Sequence, residues 1–144
     1  MNVASLLRVK GNTIVSVLPG TPLMELVATI ASRRIGAVLV RDEAGDLVGI
    51  VSERDVVKAL AAKGPELANV AARDVMTPNV TTVTPDTTVN DAMELMDRGY
   101  FRHLPVLDRG ALVGIISVRD VVRARIERHV EENESLISYI NNRG

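Results

Sequence analysis

The sequence predicts an α+β protein built from two copies of one β-α-β-β-α unit. Three observations carry this. GIVSERDVVK (Gly49 to Lys58) returns as GIISVRDVVR (Gly114 to Arg123), identical at seven of ten positions and about 65 residues later. Within each copy, strand-like and helix-like apolar spacings alternate in the same order. The chain has 144 residues, 47% apolar and only 2% aromatic, enough for one compact domain or two small halves sharing an aliphatic core.

The elements follow in order. Ile14 to Val17 is a short β-prone run closed by Pro19. Thr21 suits an N-cap and Pro22 a first helical position. Leu23, Leu26, Val27 and Ile30 then recur at helical spacing. Ala37 to Val40 reads as a buried strand, Asp42 to Asp46 as a hairpin turn, and Leu47 to Val51 as the returning strand. A helix follows from about Arg54, and Gly64-Pro65 stops it. Glu66 to Met76 reads as a helical linker. The second copy repeats the order. Val80 to Val83 is a strand, and Val89, Ala92, Met93 and Met96 mark a helix. Leu104 to Leu107 and Leu112 to Ile116 form a hairpin around Arg109-Gly110, and a last helix starts near Arg119. Pro19-Gly20-Thr21 returns as Pro85-Asp86-Thr87, and the second hairpin turn is one residue shorter than the turn around Ala44. The expected division is a first unit over 1–65, a second over 66–125 and a helical extension over 126–144. Each small sheet needs a cover it cannot supply alone, so the halves should pack together.

Composition narrows the function classes. A net charge of −1 lacks the basic excess of a non-specific nucleic-acid or acidic-membrane binder. Tyr100, Phe101 and Tyr139 are the whole aromatic set, too few for base-stacking platforms. Cysteine is absent, which excludes disulfides, thiolate metal sites and a cysteine nucleophile. His103 and His129 form no metal-ligand motif. No apolar run reaches membrane-spanning length, and Met1 to Lys10 lacks a signal-peptide layout, so a cytoplasmic protein is expected. Asp55 and Asp120 sit at equivalent places in separate repeats with no base or nucleophile beside them, so the chain reads as non-catalytic.

The sharpest chemical feature is Ser-x-x-Asp, at Ser52 to Asp55 and Ser117 to Asp120, where a strand ends and a helix begins. A helix N-terminus presents free N–H groups and a positive dipole end, which suits phosphate. A serine hydroxyl there can donate to a phosphate oxygen, and a carboxylate one turn in can accept from hydroxyl donors. The same residues also spell a capping box, and the two roles are compatible. Both copies keep the arginine, Arg54 and Arg119, while Glu53 drifts to Val118. Arg102-His103 precedes the second hairpin where the first copy has Gly36-Ala37. The guanidinium fork of arginine matches two phosphate oxygens, and Lys10 is a weaker candidate for the same task.

The β-α-β-β-α order, the two GI[VI]SxRD segments and the Asp74-Val75-Met76-Thr77 lead-in resemble CBS domains (cystathionine β-synthase domains), from about Val3 to Arg125. The resemblance implies a pseudo-twofold pair whose two clefts bind adenosine-containing ligands: AMP, ADP, ATP, S-adenosylmethionine or NAD. It implies that Asp55 and Asp120 grip ribose, and that Ser52 and Ser117 touch phosphate. Arg102 and His103 would reach phosphate across the cleft. It also implies that Ile14 to Ser16 and Val80 to Thr82 wall the adenine, with Ile50 and Ile115 closing the slot. Because Gly36 and Ala37 replace the basic pair in the first copy, the two clefts are expected to be unequal. Flat homodimers are common among similar pairs.

Two functional readings follow. The first is a regulatory module that binds an adenine nucleotide and transmits this to a protein partner. The second is a dimerisation or adaptor protein with vestigial nucleotide sites. It is supported by an apolar stripe of Val122, Ile126, Val130, Ile137 and Ile140, interrupted at Asn133.

Overall fold

The computed structural model describes residues 1–143, the last two as backbone alone. Asn2 caps the first helix, α1 (Val3–Lys10), by accepting the Ser5 N–H at 3.0 Å, and Gly11 ends it at φ 94°. The repeat pattern does not predict this helix, because it lies ahead of the first copy. The first copy follows as β1 (Ser16–Val17), α2 (Leu23–Arg33), β2 (Ala37–Arg41), β3 (Leu47–Ser52) and α3 (Glu53–Lys63). A 3-10 stretch over Gly64–Asn69 and the short α4 (Ala72–Val75) lead to the second copy. This consists of α5 (Val89–Gly99), β4 (His103–Asp108), β5 (Ala111–Ser117) and α6 (Val118–Arg143). None of the helices among the described residues is long and apolar enough to cross a membrane.

The α+β class and the tandem order stand, with three local corrections. Pro22, not Thr21, is the cap residue of α2, and the Thr21 hydroxyl instead accepts the Leu18 N–H at 3.1 Å. The stretch Glu66 to Met76 is not one helix. Gly64 turns the chain at φ 51°, and α4 stops after four residues because Thr77 precedes Pro78, which disfavours helical backbone there. The expected strand Val80 to Val83 shrinks to a single parallel bridge between Val83 and Val106. In the first copy, β1 pairs parallel with β2, and the Leu39 N–H donates to the Val15 carbonyl at 3.2 Å. The register places Pro105 where Leu39 stands, and proline has no N–H to offer the carbonyl of Thr81.

Each hairpin is antiparallel, with Ala37 opposite Ser52 and His103 opposite Ser117. Its inward face is aliphatic, and each half has its own core. One joins Leu23, Leu26, Val38, Val40 and Val51 with Val70 and Ala72 of the linker. The other joins Leu104, Val106, Ile116 and Val121 with Val3, Leu6 and Leu7 of α1. The lead-in of each half therefore covers the sheet of the other. Backbone bonds repeat this exchange symmetrically. Val3 and Ala4 donate to the carbonyls of Thr87 and Pro85 at 2.8 and 2.9 Å, and Ala72 and Arg73 donate to those of Thr21 and Pro19 at the same two distances. This crossing explains the glycine that opens each GI[VI]S segment. Leu7 lies over Gly114, where a Cβ would fall 2.8 Å from its Cδ2, and Met76 lies still closer over Gly49.

Candidate functional site

Both Ser-x-x-Asp segments form complete capping boxes. At α3, the Ser52 Oγ accepts the Asp55 N–H at 3.3 Å, and Asp55 Oδ2 accepts the Ser52 N–H at 2.8 Å and its hydroxyl at 3.0 Å. At α6, the matching bonds between Ser117 and Asp120 measure 3.2, 2.8 and 3.0 Å. All of these carboxylate contacts fall on Oδ2, which leaves Oδ1 of each aspartate for another donor. The two carboxylates are half-buried beside helix N-termini, in the electrostatic setting that favours anions and ordered hydroxyl donors.

The entrances of β2 and β4 meet these helix starts. The Gly36 carbonyl accepts the Glu53 N–H at 3.1 Å, and the Arg102 carbonyl accepts the Val118 N–H at 2.9 Å. His103, the neighbour of Arg102, crosses to the other half. A Cβ placed on Gly36 would lie 3.1 Å from both Cε1 and Nε2 of its ring. His103 thus sits at the junction of the repeats, among the charges of Lys10, Arg102, Asp120 and Glu53. Burial, reinforced by Lys10 and Arg102, holds its pKa below the ordinary 6.5, so the ring is neutral at pH 7. Arg102 itself is exposed.

The two Ser-x-x-Asp segments differ in the lead-in that each meets. Past α4 the chain is extended, and Thr77 pairs with Ile50 through both backbone groups, at 3.1 and 2.9 Å. In the other half, α1 stays helical to Lys10. The Lys10 ammonium donates to the Ile115 carbonyl at 2.8 Å and to Asp120 Oδ2 at 2.7 Å. Burial alone would raise the Asp120 pKa, but hydrogen bonds from Lys10 and Ser117 and the lysine's charge outweigh it and hold the carboxyl below 3.8. The ion pairs among the described residues are Lys10–Asp120, Glu94–Arg98 and Arg128–Glu132, so Asp55 has no such counterpart.

The structure thus brings Ser117, Asp120, His103, Ile115 and Lys10 together, and separately Ser52, Asp55 and Ile50. Ile14, Val80 and Thr82 are half-buried, and Ser16 is exposed. Arg54 and Arg119 are exposed in the first turns of α3 and α6, and neither bonds to the motif serines or aspartates. Two participants escaped the sequence reading. Thr77 was visible only as part of the lead-in motif, although Pro78 signals its extended backbone. Gly36 read as a missing basic residue, but its lack of a side chain is what admits the His103 ring. Two open surface hollows lie elsewhere. One is lined by Asn90, Arg125, Arg128, His129 and Glu132, and the other by Lys63, Glu66, Asn69, Val70 and Asp74. No cluster of three or more His, Cys, Asp or Glu residues suited to a metal occurs among the described residues.

Comparison with known proteins fits this geometry. The sequence profile of the CBS domain matches residues 11–62 and 72–127. The mitochondrial CBS domain-containing protein CBSX3 of Arabidopsis thaliana is 35% identical over 120 residues, which are 81% of this chain and 58% of that protein; the chain thus spans about three-fifths of that relative. A crystal structure of a CBS-domain protein from Agrobacterium tumefaciens is 42% identical with a TM-score of 0.84, over 86% of this chain and 92% of that one. Two further structures carry ligands. CBSX2 in complex with AMP is 27% identical (TM-score 0.72), and the CBS domain pair of protein MJ0100 with 5'-methylthioadenosine and S-adenosylmethionine is 26% identical (TM-score 0.80); each match covers 89% of this chain and 98% of the other. With both repeats matched by the family profile and the tandem fold shared, this chain belongs to the CBS-domain family, as a pair.

Proposed function

We propose that this chain is a non-catalytic regulatory module that binds an adenine nucleotide between its repeats and passes occupancy to a protein partner. The observation that carries this is the pair of symmetry-related Ser-x-x-Asp helix starts, with His103 spanning from one half to the other. In this reading Asp55 and Asp120 accept the ribose hydroxyls, and Ser52, Ser117, Arg102 and His103 serve phosphate. Ile14, Ser16, Val80 and Thr82 flank the base, and Ile50 and Ile115 close its slot. Arg54 and Arg119 add positive charge at the rim. AMP, ADP, ATP and NAD are the ligands in view, and the AMP complex of CBSX2 supports the choice of class. Binding acts by linkage, because only a ligand that prefers one arrangement of the halves shifts their balance. Isothermal titration calorimetry with AMP, ATP, NAD and S-adenosylmethionine tests it. Saturable binding of a phosphate-bearing ligand, lost in Asp55→Ala or Asp120→Ala variants that still fold, is the expected result. Absence of binding by all four would sink it.

A homodimer through α6 belongs to the same reading. From Arg125 to Asn141 every residue of this helix is exposed, including Ile126 at 60%, Val130 at 47%, Ile137 at 56% and Ile140 at 59%. Positions 126, 130, 133, 137 and 140 alternate by four and three, the spacing of a two-stranded coiled coil. Asn133 is the single polar residue in that seam, a device that fixes register between identical helices. These features also sustain the adaptor reading, in which the helix acts without nucleotide.

A further inference from the structure

The cleft at Asp120 already holds a cation, and that cation constrains what else fits. The Lys10 ammonium bonds to Asp120 Oδ2 and to the Ile115 carbonyl, so a ribose here would share the carboxylate through Oδ1, and the backbone acceptor at Ile115 is already engaged. With the Ser117 N–H and hydroxyl, the ammonium is the third donor on one carboxylate oxygen. The cleft at Asp55 has no equivalent, since the Ile50 backbone there is paired with Thr77.

From this asymmetry we infer that Lys10 makes the Asp120 cleft selective for phosphate-bearing adenine ligands over neutral adenosine and cationic S-adenosylmethionine. The inference rests on the nucleotide-binding reading above and deepens it by naming the ligand class. A neutral ribose bonded at Oδ1 competes with the ammonium for the charge of one carboxylate and offers the lysine no anion in return. A sulfonium ligand adds a further positive charge beside Lys10 and Arg102. A phosphate supplies a new anion. The lysine stem is flexible and its side chain is 32% exposed, so the ammonium can swing from carboxylate to phosphate without leaving the cleft. The other charges around the His103 ring at this point are Arg102 and Glu53, and Arg119 stands exposed beside Asp120. Cations thus outnumber carboxylates at this point, and the discrimination falls to whether the ligand supplies an anion to the lysine. The lysine is a specificity residue, which acts through the charge it must re-pair.

The test is calorimetry with AMP, adenosine and S-adenosylmethionine on an Asp55→Ala background, so that the Asp120 cleft alone reports. Lys10→Met is expected to raise the affinity for adenosine and lower that for AMP, reducing the AMP-to-adenosine ratio about tenfold, the worth of one hydrogen bond to a charged group. Lys10→Arg keeps the charge and should keep the preference. The same ratio in the otherwise unsubstituted chain covers the case in which Asp55→Ala does not fold. An unchanged ratio in Lys10→Met, or a chain with Lys10 that binds S-adenosylmethionine more tightly than AMP, overturns the inference and leaves nucleotide binding intact. If the unsubstituted chain and Lys10→Met bind none of the three, both the inference and the reading it rests on fall.

Discussion

The two halves share one fold, one capping motif and one crossing of lead-in over sheet, yet their clefts are finished differently. Where the first half meets α4, a proline at position 78 stops the helix, and Thr77 closes the edge of Ile50 with backbone bonds. Where the second half meets α1, no proline intervenes before Lys10, the helix continues, and a side chain reaches the cleft instead. A duplicated fold thus acquires two unlike helix-start environments through its lead-ins, while the repeated core stays the same. The same logic runs through the sheets. Pro105 cancels a strand bond that Leu39 makes, so the second sheet has one strand fewer.

The strongest way to break the comparison is to remove a lead-in. Val3 is fully buried, and Leu6 and Leu7 are 6% and 8% exposed, in the core of the second half. Each such side chain contributes about 1.5–3 kcal/mol, so deleting residues 1–10 should remove most of a typical domain's stability. Urea denaturation followed by circular dichroism should show a lost or much earlier transition, and hydrogen exchange should locate the loss in β4, β5 and α5. Removing residues 126–144 should change the monomer's stability by no more than about 0.5 kcal/mol, because those side chains described are exposed or at the surface. The same truncation should convert a dimer to a monomer in sedimentation equilibrium. A truncated chain that stays dimeric places the contact elsewhere.

A finer contrast lies at the two crossing glycines. Gly114→Ala drives a methyl group into branched Leu7 and should cost about 1–3 kcal/mol. Gly49→Ala would overlap Met76 more deeply and back to its Cβ, which a change of rotamer cannot move aside, so its cost should be larger. Equal losses in denaturant midpoints would show that the lead-ins pack with the same rigidity.

The smallest expected effect is in pH dependence, and it belongs to the second half. The folded-state pKa of His103 lies below 6.5, so as pH falls through 6.5 the unfolded chain takes up the proton first. Stability should decline from there until the folded ring also protonates, by at most about 1.4 kcal/mol per pH unit. Asp120 runs in the same direction at lower pH. Its carboxyl lies below 3.8 when folded, so its contribution is present above 3.8 and is lost as pH falls through the lowered value. His103→Gln should flatten the upper part of the profile, and an unaltered slope would assign it to another group.

What the sequence determined by itself was local or periodic: the duplicated β-α-β-β-α order, the hairpins, the aliphatic inward faces and the capping boxes at Ser52 and Ser117. Each is written within about ten neighbouring residues, in turn glycines, cap residues and apolar spacing, and the second copy checks the first. The strand expected over Val80 to Val83 was not realised, because the donor missing at Pro105 matters only once β4 is known to be its partner. The tertiary structure alone decided which lead-in covers which sheet, that the His103 ring rests against Gly36, and that Lys10 reaches Asp120 across 110 positions of sequence. No local propensity encodes those pairings. They arise because each half has a sheet face that its own helices leave open, and the lead-in of the opposite half is the segment whose buried side chains close it.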